Sequence, residues 1–216
     1  MKDFVMNFRE DPGRAELQAI RVLSTGDIAI LPTDTVYGLH GLAQLPFTCS
    51  RLCELKGYEE GQRSFILLAR NLDAVGAWAD LSDDDRALIE QHSPGAVTWI
   101  CRARPETPPN WRGELEGRST VAFRIPDHAF LQSLLRVLPS PLFSTSANRA
   151  GQGSLESADE IAKLFEDKVQ LVVSDPDLEA AMQRDGASAS TLVDLSTGNP
   201  KVLREGKVNL SFGAGR

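Results

Sequence analysis

Short apolar runs that fit buried strands alternate along this chain with stretches of helical periodicity. Residues 14–24 predict a helix, because apolar side chains recur near helical spacing at Leu17, Ile20, Val22 and Leu23. Gly26 ends that stretch, and the run DIAILP at 27–32 predicts a buried strand that stops at Pro32. The alternation of the two patterns indicates an α/β protein.

The rest of the chain continues this alternation. Further strands are predicted in residues 64–69, 96–103, 120–126, 141–147 and 169–175. Helices are predicted at 47–55, 71–79, 82–93, 128–138 and 157–165. The expected N-caps are Asn71, Ser82 and Ser157, the last with Glu160 at capping-box spacing. Segments 190–196 and 201–206 predict a closing hairpin, so the sheet should be mixed, in one domain over residues 1–216.

Composition places the chain among globular proteins. Its 216 residues are 42% apolar and 25% charged, which excludes wholesale disorder and leaves ample length for a core. No apolar run approaches the roughly 20 residues of a membrane helix, and the acidic start MKDFVMNFREDPGR is unlike a signal or transit peptide. Three cysteines are too few for a disulfide framework, so a cytoplasmic location without membrane association is expected.

The net charge of -7 argues against a surface coated in basic residues for nonspecific DNA binding. A local basic cluster does occur in residues 102–118, RARPETPPNWRGELEGR, with acidic residues interleaved. It is either a nucleic-acid patch or, as the interleaving favours, a solvated loop.

Four polar segments end or interrupt the predicted strands, at 32–38, at 56–64, at 144–151, and at 190–194 together with 204–206. Ligands of α/β proteins collect at strand ends, and the hydroxyls, amides and cations of these segments suit phosphate, ribose or base edges. Ser144, Ser146 and Asn148 alternate, so continued extended geometry would put all three on one side of the sheet. They form either a polar stripe or a solvated turn, and on their own they favour the turn.

The common nucleotide and hydrolase motifs are missing from the sequence. It has no Gly-rich loop ending in Gly-Lys-Ser/Thr, no GxGxxG after the first strand and no GxSxG elbow. A nucleotide site would therefore use dispersed Lys, Arg, Ser and Asn side chains. Cys49 and Cys53 could share a helix face, but no second Cys/His pair lies nearby, so core packing is favoured over a metal site. Asp34 could touch Mg²⁺, although a turn-stabilising role is favoured.

Taken together, these segments resemble the YrdC-like family, whose best-known members are threonylcarbamoyl-AMP synthases. The resemblance rests on five motifs in order over residues 14–207: LPTDTVYGL at 31–39, PGAVTWI, STVAFRIPDH, STSAN, and STLVDL with VLREG. It implies one domain, with a twisted mixed β-sheet and flanking helices around a concave electropositive cavity, and no additional C-terminal domain.

The same resemblance implies an enzyme that uses L-threonine, bicarbonate and ATP, with Mg²⁺, to form threonylcarbamoyl-AMP and pyrophosphate. Downstream transferase proteins would use this adenylate to modify adenosine 37 of tRNA. L-Threonine would be bound by Thr35, Arg124 and Ser190, with Arg124 forming a bidentate fork to its carboxylate. Lys56 would neutralise phosphate charge, and the ATP would be held by Lys56, Thr120, Ser144, Ser146, Asn148 and Arg204.

The chain departs from the family pattern after Lys56. Synthases typically carry Lys-x-Arg, then an Asn and, at the end of the next strand, a His, whereas here Gly57 and Tyr58 follow the lysine. Arg63 either restores the missing catalytic charge or is a solvated loop arginine. The departures resemble the YciO-like branch, whereas PTDTVYG and SAN look like the synthase pattern. Three functions stay open: a synthase, a divergent paralogue with another nucleotide-dependent activity, and a module that binds tRNA or double-stranded RNA.

Overall fold

The computed structural model describes residues 5–59, 64–149 and 151–212. Its helices are α1 (Pro12–Ser24), α2 (Thr48–Lys56), α3 (Leu72–Val75), α4 (Asp83–Gln91), α5 (Ala129–Val137), α6 (Ala158–Leu164) and α7 (Pro176–Asp185). Its strands are β1 (Val5–Asn7), β2 (Ala29–Leu31), β3 (Gly38–Leu42), β4 (Ile66–Leu68), β5 (Ala79–Asp80), β6 (Val97–Ala103), β7 (Gly113–Leu115), β8 (Arg118–Arg124), β9 (Leu142–Ser146), β10 (Leu171–Ser174), β11 (Thr191–Asp194) and β12 (Lys201–Arg204). A 3₁₀ turn covers Pro109–Trp111.

All the described strands join one mixed sheet. Its main path runs β1-β10-β2-β3-β9-β4-β8-β6-β11-β12, with β5 paired to β6 and β7 paired to β8. The pairs β1–β10, β10–β2, β4–β8 and β11–β6 are parallel, and the others are antiparallel. The expected single-domain α/β fold, with a mixed twisted sheet and flanking helices, is confirmed.

Two hydrophobic clusters cover the two faces of this sheet. The cluster on the first face joins α1 and α5 to β2, β3, β9 and β10, around Leu23, Leu31 and Leu134. The cluster on the second face takes in α2, α4, α6 and α7, together with Trp99 and Phe123 of the sheet. Burial of these apolar side chains is the main favourable term that holds the helices to the strands.

Several side chains on the first face are only partly buried at its β8–β6–β11 end. Paired residues in neighbouring strands lie on the same face, so Ala122 of β8 stands beside Ile100 of β6 and Thr98 stands beside Leu192 of β11. Ile100, Ala122 and Leu192 are among them. We call the part of the sheet that carries these side chains the open face.

Most of the predicted elements are present, and the differences have local causes. The predicted helix at 71–79 ends at Val75, and Ala79–Asp80 pairs with β6 instead. Elements β1, β3, β7 and α7 were also missed. Strand β3 (GLHGL) carries two glycines, whereas α7 has an ordinary start with Asp175 as N-cap and Pro176 as its first residue. Among the described residues, no helix is long and apolar enough to cross a membrane.

The predicted helix caps are partly confirmed. Asn71 accepts a hydrogen bond from the Ala74 amide, and Ser82 forms a full capping box with Asp85. Ser157 does precede α6, but its side chain makes no capping hydrogen bond, so the predicted capping box with Glu160 is wrong. Glu179 of α7 instead accepts a hydrogen bond from the Ala158 amide, at 3.1 Å.

Candidate functional site

Lys56 lies at the last turn of α2, where Gly57 ends the helix in the left-handed conformation. Its ammonium is buried and donates to three oxygens of the SAN segment: the carbonyl of Ser146 at 2.9 Å, the carbonyl of Asn148 at 2.7 Å and Asn148 Oδ1 at 2.6 Å. Three acceptors around one buried ammonium stabilise its charge. The structure therefore brings together Lys56, Ser146 and Asn148.

Ser144 and Ser146 of the STSAN motif lie on the same face of the sheet. In β9, Ser144 stands opposite His40 and Ser146 stands opposite Gly38. Ser146 Oγ donates to Asn148 Oδ1 at 2.6 Å, and Asn148 is only 8% exposed. Ser144 and Ser146 therefore share one face as predicted, whereas Asn148 lies in a buried bend after β9, so neither the three-residue stripe nor the solvated turn holds for the whole segment.

His40 is fully buried beside this stripe. Its Nε2 lies 3.2 Å from Ser144 Oγ, within hydrogen-bond distance. Burial, followed by the positive charge of Arg124, lowers the pKa of His40 to about 3. The imidazole is therefore neutral at pH 7.

Thr35 and Arg124 are in contact, although 89 residues separate them in the sequence. Arg124 Nη1 donates to Thr35 Oγ1 at 2.8 Å, and its Nη2 lies 3.4 Å from Asp34 Oδ1. Burial lowers the pKa of Arg124, while the negative charge of Asp34 opposes that shift. The predicted carboxylate fork thus lies beside the PTDT loop, but two side chains of that loop already contact it.

The turn in the PTDT loop is stabilised by Thr33. The Thr33 hydroxyl accepts from the amides of Thr35 at 3.0 Å and Val36 at 3.2 Å, and donates to the Val36 carbonyl at 2.7 Å. The carboxylate of Asp34 has no hydrogen-bond partner among the described residues. The predicted turn-stabilising role of Asp34 is therefore wrong.

The hairpin motif contributes Ser190 and Arg204. Ser190 Oγ lies 2.7 Å from Thr98 Oγ1, and Arg204 Nη2 donates to the Ser190 carbonyl at 2.8 Å. Gly206 then passes against residues 189–191 so closely that a Cβ would lie 2.5 Å from the Thr191 amide nitrogen. A glycine is required at this crossing, which fixes Arg204 next to Ser190.

The strand pairing shows that Arg124 and Thr120 lie on the same face of the sheet as Ser144 and Ser146. Leu68 of β4 pairs with both Arg124 of β8 and Leu142 of β9, so Arg124 shares a face with the serines of β9. Thr120 lies four residues before Arg124 in β8, so its buried side chain is on the same face. Because residues 60–63 are not described, the role predicted for Arg63 lies outside the described residues.

Of two cavities in the described structure, one adjoins these elements. One of about 390 Å³ is lined by Thr35 together with Met182 of α7, Gly206 and Lys207. Another, of about 560 Å³, is lined by Trp78 and Trp111 and contains none of the predicted site residues. The smaller cavity therefore connects to the PTDT loop, whereas the larger lies elsewhere.

Sequence reasoning missed two groups of side chains that hold the PTDTVYG segment. Tyr37 Oη accepts from the Asp175 amide at 2.8 Å and donates to Glu179 Oε1 at 2.9 Å. Lys207 Nζ donates to the Asp34 carbonyl at 2.8 Å. The partners are more than a hundred residues apart, so no local signal could have found these contacts.

The arginines of the 102–118 cluster form hydrogen bonds with other residues of this chain. Arg102 and Arg104 donate to the carbonyls of Ser196 and Ala79, while Arg112 donates to the carbonyls of Thr107 and Pro105. Arg118 contacts Glu116 and the Ser196 hydroxyl. These bonds use donors that a phosphate would need, and they favour a structural role over a nucleic-acid patch.

Metal ligands are not assembled in the described part of the chain. No group of three or more His, Cys, Asp or Glu side chains there is arranged to hold a metal ion. Cys53 of α2 packs in the core, and Cys49 of the same helix is partly buried against the same cluster. Both placements agree with the predicted packing role of the two cysteines.

Comparison with known proteins identifies the family. A family model named Sua5_yciO_yrdC, described as telomere recombination, matches residues 21–206. The chain belongs to the Sua5/YciO/YrdC family. The threonylcarbamoyl-AMP synthase of Thiobacillus denitrificans is 33% identical over 182 residues, which cover 84% of this chain and 90% of that protein. YciO of Escherichia coli K12 is 28% identical over 190 residues, covering 88% of this chain and 87% of that one.

Solved structures of the Sua5/YciO/YrdC family have the same fold. The crystal structure of E. coli YciO superposes with a TM-score of 0.78 at 26% identity and covers 91% of both chains. Sua5 of P. abyssi, crystallised in complex with L-threonine, gives a TM-score of 0.77 at 25% identity. The match spans 94% of this chain and 57% of that longer one. The expected family is thus confirmed, and both of its branches are represented among the similar proteins.

Proposed function

We propose that this member of the family is a threonylcarbamoyl-AMP synthase. It would use L-threonine, bicarbonate and Mg-ATP and would release threonylcarbamoyl-AMP and pyrophosphate. Downstream transferase proteins would then carry the threonylcarbamoyl group to adenosine 37 of tRNA, in the cytoplasm. The relatives of that name, at about 30% identity, support the type of reaction.

One observation carries this proposal. Arg124 contacts Thr35 at 2.8 Å, on the sheet face that also carries the Ser144 and Ser146 side chains. An amino-acid site and a hydroxyl-rich nucleotide site would therefore adjoin, as the joining of threonine to AMP requires. Thr120 and Asn148 would extend the nucleotide side, whereas Ser190 and Arg204 would border the site at the hairpin.

The chemistry needs positioning and charge neutralisation more than a strong base. Bicarbonate and the threonine amine form a carbamate and water, and a carbamate oxygen then attacks the α-phosphorus of ATP. The bond from the α-phosphorus to the bridging oxygen breaks, and pyrophosphate leaves with that oxygen. Cations near the leaving group lower this barrier, and Lys56, Arg63 and Mg²⁺ are the groups we propose for it. Lys56 would have to exchange at least one of its three hydrogen bonds to Ser146 and Asn148 for a phosphate oxygen.

The test is pyrophosphate release from Mg-ATP and bicarbonate, with and without L-threonine, followed by mass detection of the adenylate. Threonine-dependent release together with a threonylcarbamoyl-AMP mass is the expected result. A Lys56→Ala protein that forms the adenylate at the wild-type rate would contradict the role of Lys56. Tight ATP binding without threonine-dependent release would overturn the synthase assignment.

The YciO branch supplies a second candidate, a paralogue with another nucleotide-dependent activity. The superposition on the E. coli YciO structure covers 91% of both chains. In addition, Gly57 and Tyr58 follow Lys56 in place of the synthase pattern. ATP hydrolysis or adenylation that proceeds equally well without L-threonine would favour this candidate. RNA binding that weakens steeply with salt, without ATP turnover, would favour the RNA-binding module instead.

A further inference from the structure

Asp34 is a buried carboxylate that the fold does not satisfy. Its side chain is 10% exposed, and neither oxygen has a hydrogen-bond partner among the described residues. Buried carboxylates in native proteins are normally hydrogen-bonded, because an unpaired buried charge is costly. The flanking Thr33 and Thr35 hydroxyls bond to one another at 2.8 Å and leave Asp34 out of their network.

The backbone holds Asp34 in this position. Lys207 Nζ donates to the Asp34 carbonyl at 2.8 Å, and the Thr35 amide is bound by Thr33 Oγ1 at 3.0 Å. These bonds fix the backbone on both sides of Asp34, and its carboxylate lies 3.4 Å from Arg124 Nη2. A costly group that is held in place by its neighbours is typical of a binding site.

The pair formed by Asp34 and Arg124 is incomplete on both sides. The closest approach, from Arg124 Nη2 to Asp34 Oδ1, is 3.4 Å, which is longer than the roughly 2.7–2.9 Å of a charge-assisted hydrogen bond. Arg124 Nε also has no hydrogen-bond partner in the described chain. The two groups thus attract each other, but each keeps hydrogen-bonding capacity for a ligand.

A zwitterionic α-amino acid has the complementary charges. Its carboxylate and its ammonium are attached to the same carbon, so a ligand that places the carboxylate on Arg124 brings its ammonium close to Asp34. Thr35, which joins the same cluster, also lines the cavity of about 390 Å³. Neither Asp34 nor Arg124 lines that cavity, so a small amino acid would have to reach the pair past Thr35, where it would separate the loose ion pair and satisfy both partners.

We propose that Asp34 binds the α-ammonium of the amino-acid substrate and makes the site selective for free α-amino acids. This inference rests on the proposed function, because it takes Arg124 to bind the substrate carboxylate. It assigns to Asp34 a role in substrate binding, and it predicts that carboxylates without an α-ammonium are rejected.

The test measures ligand binding to the full chain by isothermal titration calorimetry. The ligands are L-threonine, 3-hydroxybutanoate, which lacks the amine, and N-acetyl-threonine, which lacks its charge. The wild-type protein should bind L-threonine about 10- to 100-fold more tightly than the other two, as expected for a hydrogen bond between charged groups. This comparison needs no variant and so does not depend on how a variant folds.

Asp34→Asn then removes the charge while keeping the size of the side chain, with the exposed Asp159→Asn of α6 as the control. The variant should lose the preference for L-threonine and bind 3-hydroxybutanoate at least as well as the wild type does. Wild-type protein that binds all three ligands equally, or a folded Asp34→Asn protein with the wild-type preference, would overturn the inference alone. Wild-type protein that binds none of them would overturn the proposed substrate and the inference with it.

Discussion

Lys56 and Asn148 are joined by two hydrogen bonds, although 92 residues separate them in the sequence. The ammonium reaches both the backbone carbonyl of Asn148, at 2.7 Å, and its side-chain Oδ1, at 2.6 Å. These bonds tie the end of α2 to the segment after β9. The lysine that we propose for phosphate binding therefore also stabilises the nucleotide side of the site.

Replacement of this lysine should reduce stability as well as activity. Lys56→Met keeps much of the apolar stem but leaves three buried acceptors without their donor, which should cost about 1–3 kcal/mol. Denaturant unfolding followed by circular dichroism measures the change. Lys163→Met, on the exposed side of α6, is the matched control and should change the free energy of unfolding by less than about 0.5 kcal/mol. Equal stabilities of the two variants would contradict the structural role.

Two serines at helix N-termini should differ sharply in what they contribute. Ser82→Ala removes a capping box and should lower the free energy of unfolding by about 1 kcal/mol. Ser157→Ala removes a side chain that makes no capping bond and should have almost no effect. Thermal or urea unfolding of both variants tests the difference, and a larger loss for Ser157→Ala would show that α6 is capped by its serine after all.

The crossing at Gly206 should not tolerate even one added methyl group. Gly206→Ala would place a Cβ 2.5 Å from the Ala189 oxygen, so the strand end must shift, at a cost of about 1–3 kcal/mol. Gly13→Ala, in the first turn of α1, meets nothing within 4 Å and serves as the control. If Gly206→Ala unfolds at the same urea concentration as the control, the close approach is not maintained in solution.

Burial of His40 predicts a loss of stability in acid. Its pKa is about 3 in the folded protein and 6.5 for an unperturbed imidazole, so the unfolded chain binds the extra proton between these values. The stabilisation is complete above pH 6.5 and is lost as the pH falls toward 3, by up to about 1.4 kcal/mol per pH unit. His40→Gln should remove this part of the slope. The measurement is urea unfolding of both proteins from pH 7 to pH 4, and parallel pH dependences would contradict it.

Local patterns in the sequence were enough to predict much of the fold. Helix α1, helix α5 and the closing hairpin follow from apolar spacing and from turn residues that act within a few positions of one another. The five motifs, taken in order, were enough to indicate the family. Strand β3 escaped prediction because two of its five residues are glycines, whereas helix α7 was missed although Asp175 and Pro176 form an ordinary helix start.

The arrangement of the candidate site was decided by tertiary structure. The sequence by itself placed Lys56 and Asn148 in polar segments and Arg124 in a predicted strand, but it could not show which partners their side chains have. Those partners depend on sheet register, which brings distant residues opposite one another. Packing of the sheet also buries Ser144 and Asn148, which the local sequence suggested were solvated, and it leaves the carboxylate of Asp34 facing Arg124. Local propensity acts over a few residues, whereas burial and charge pairing are properties of the whole packed sheet.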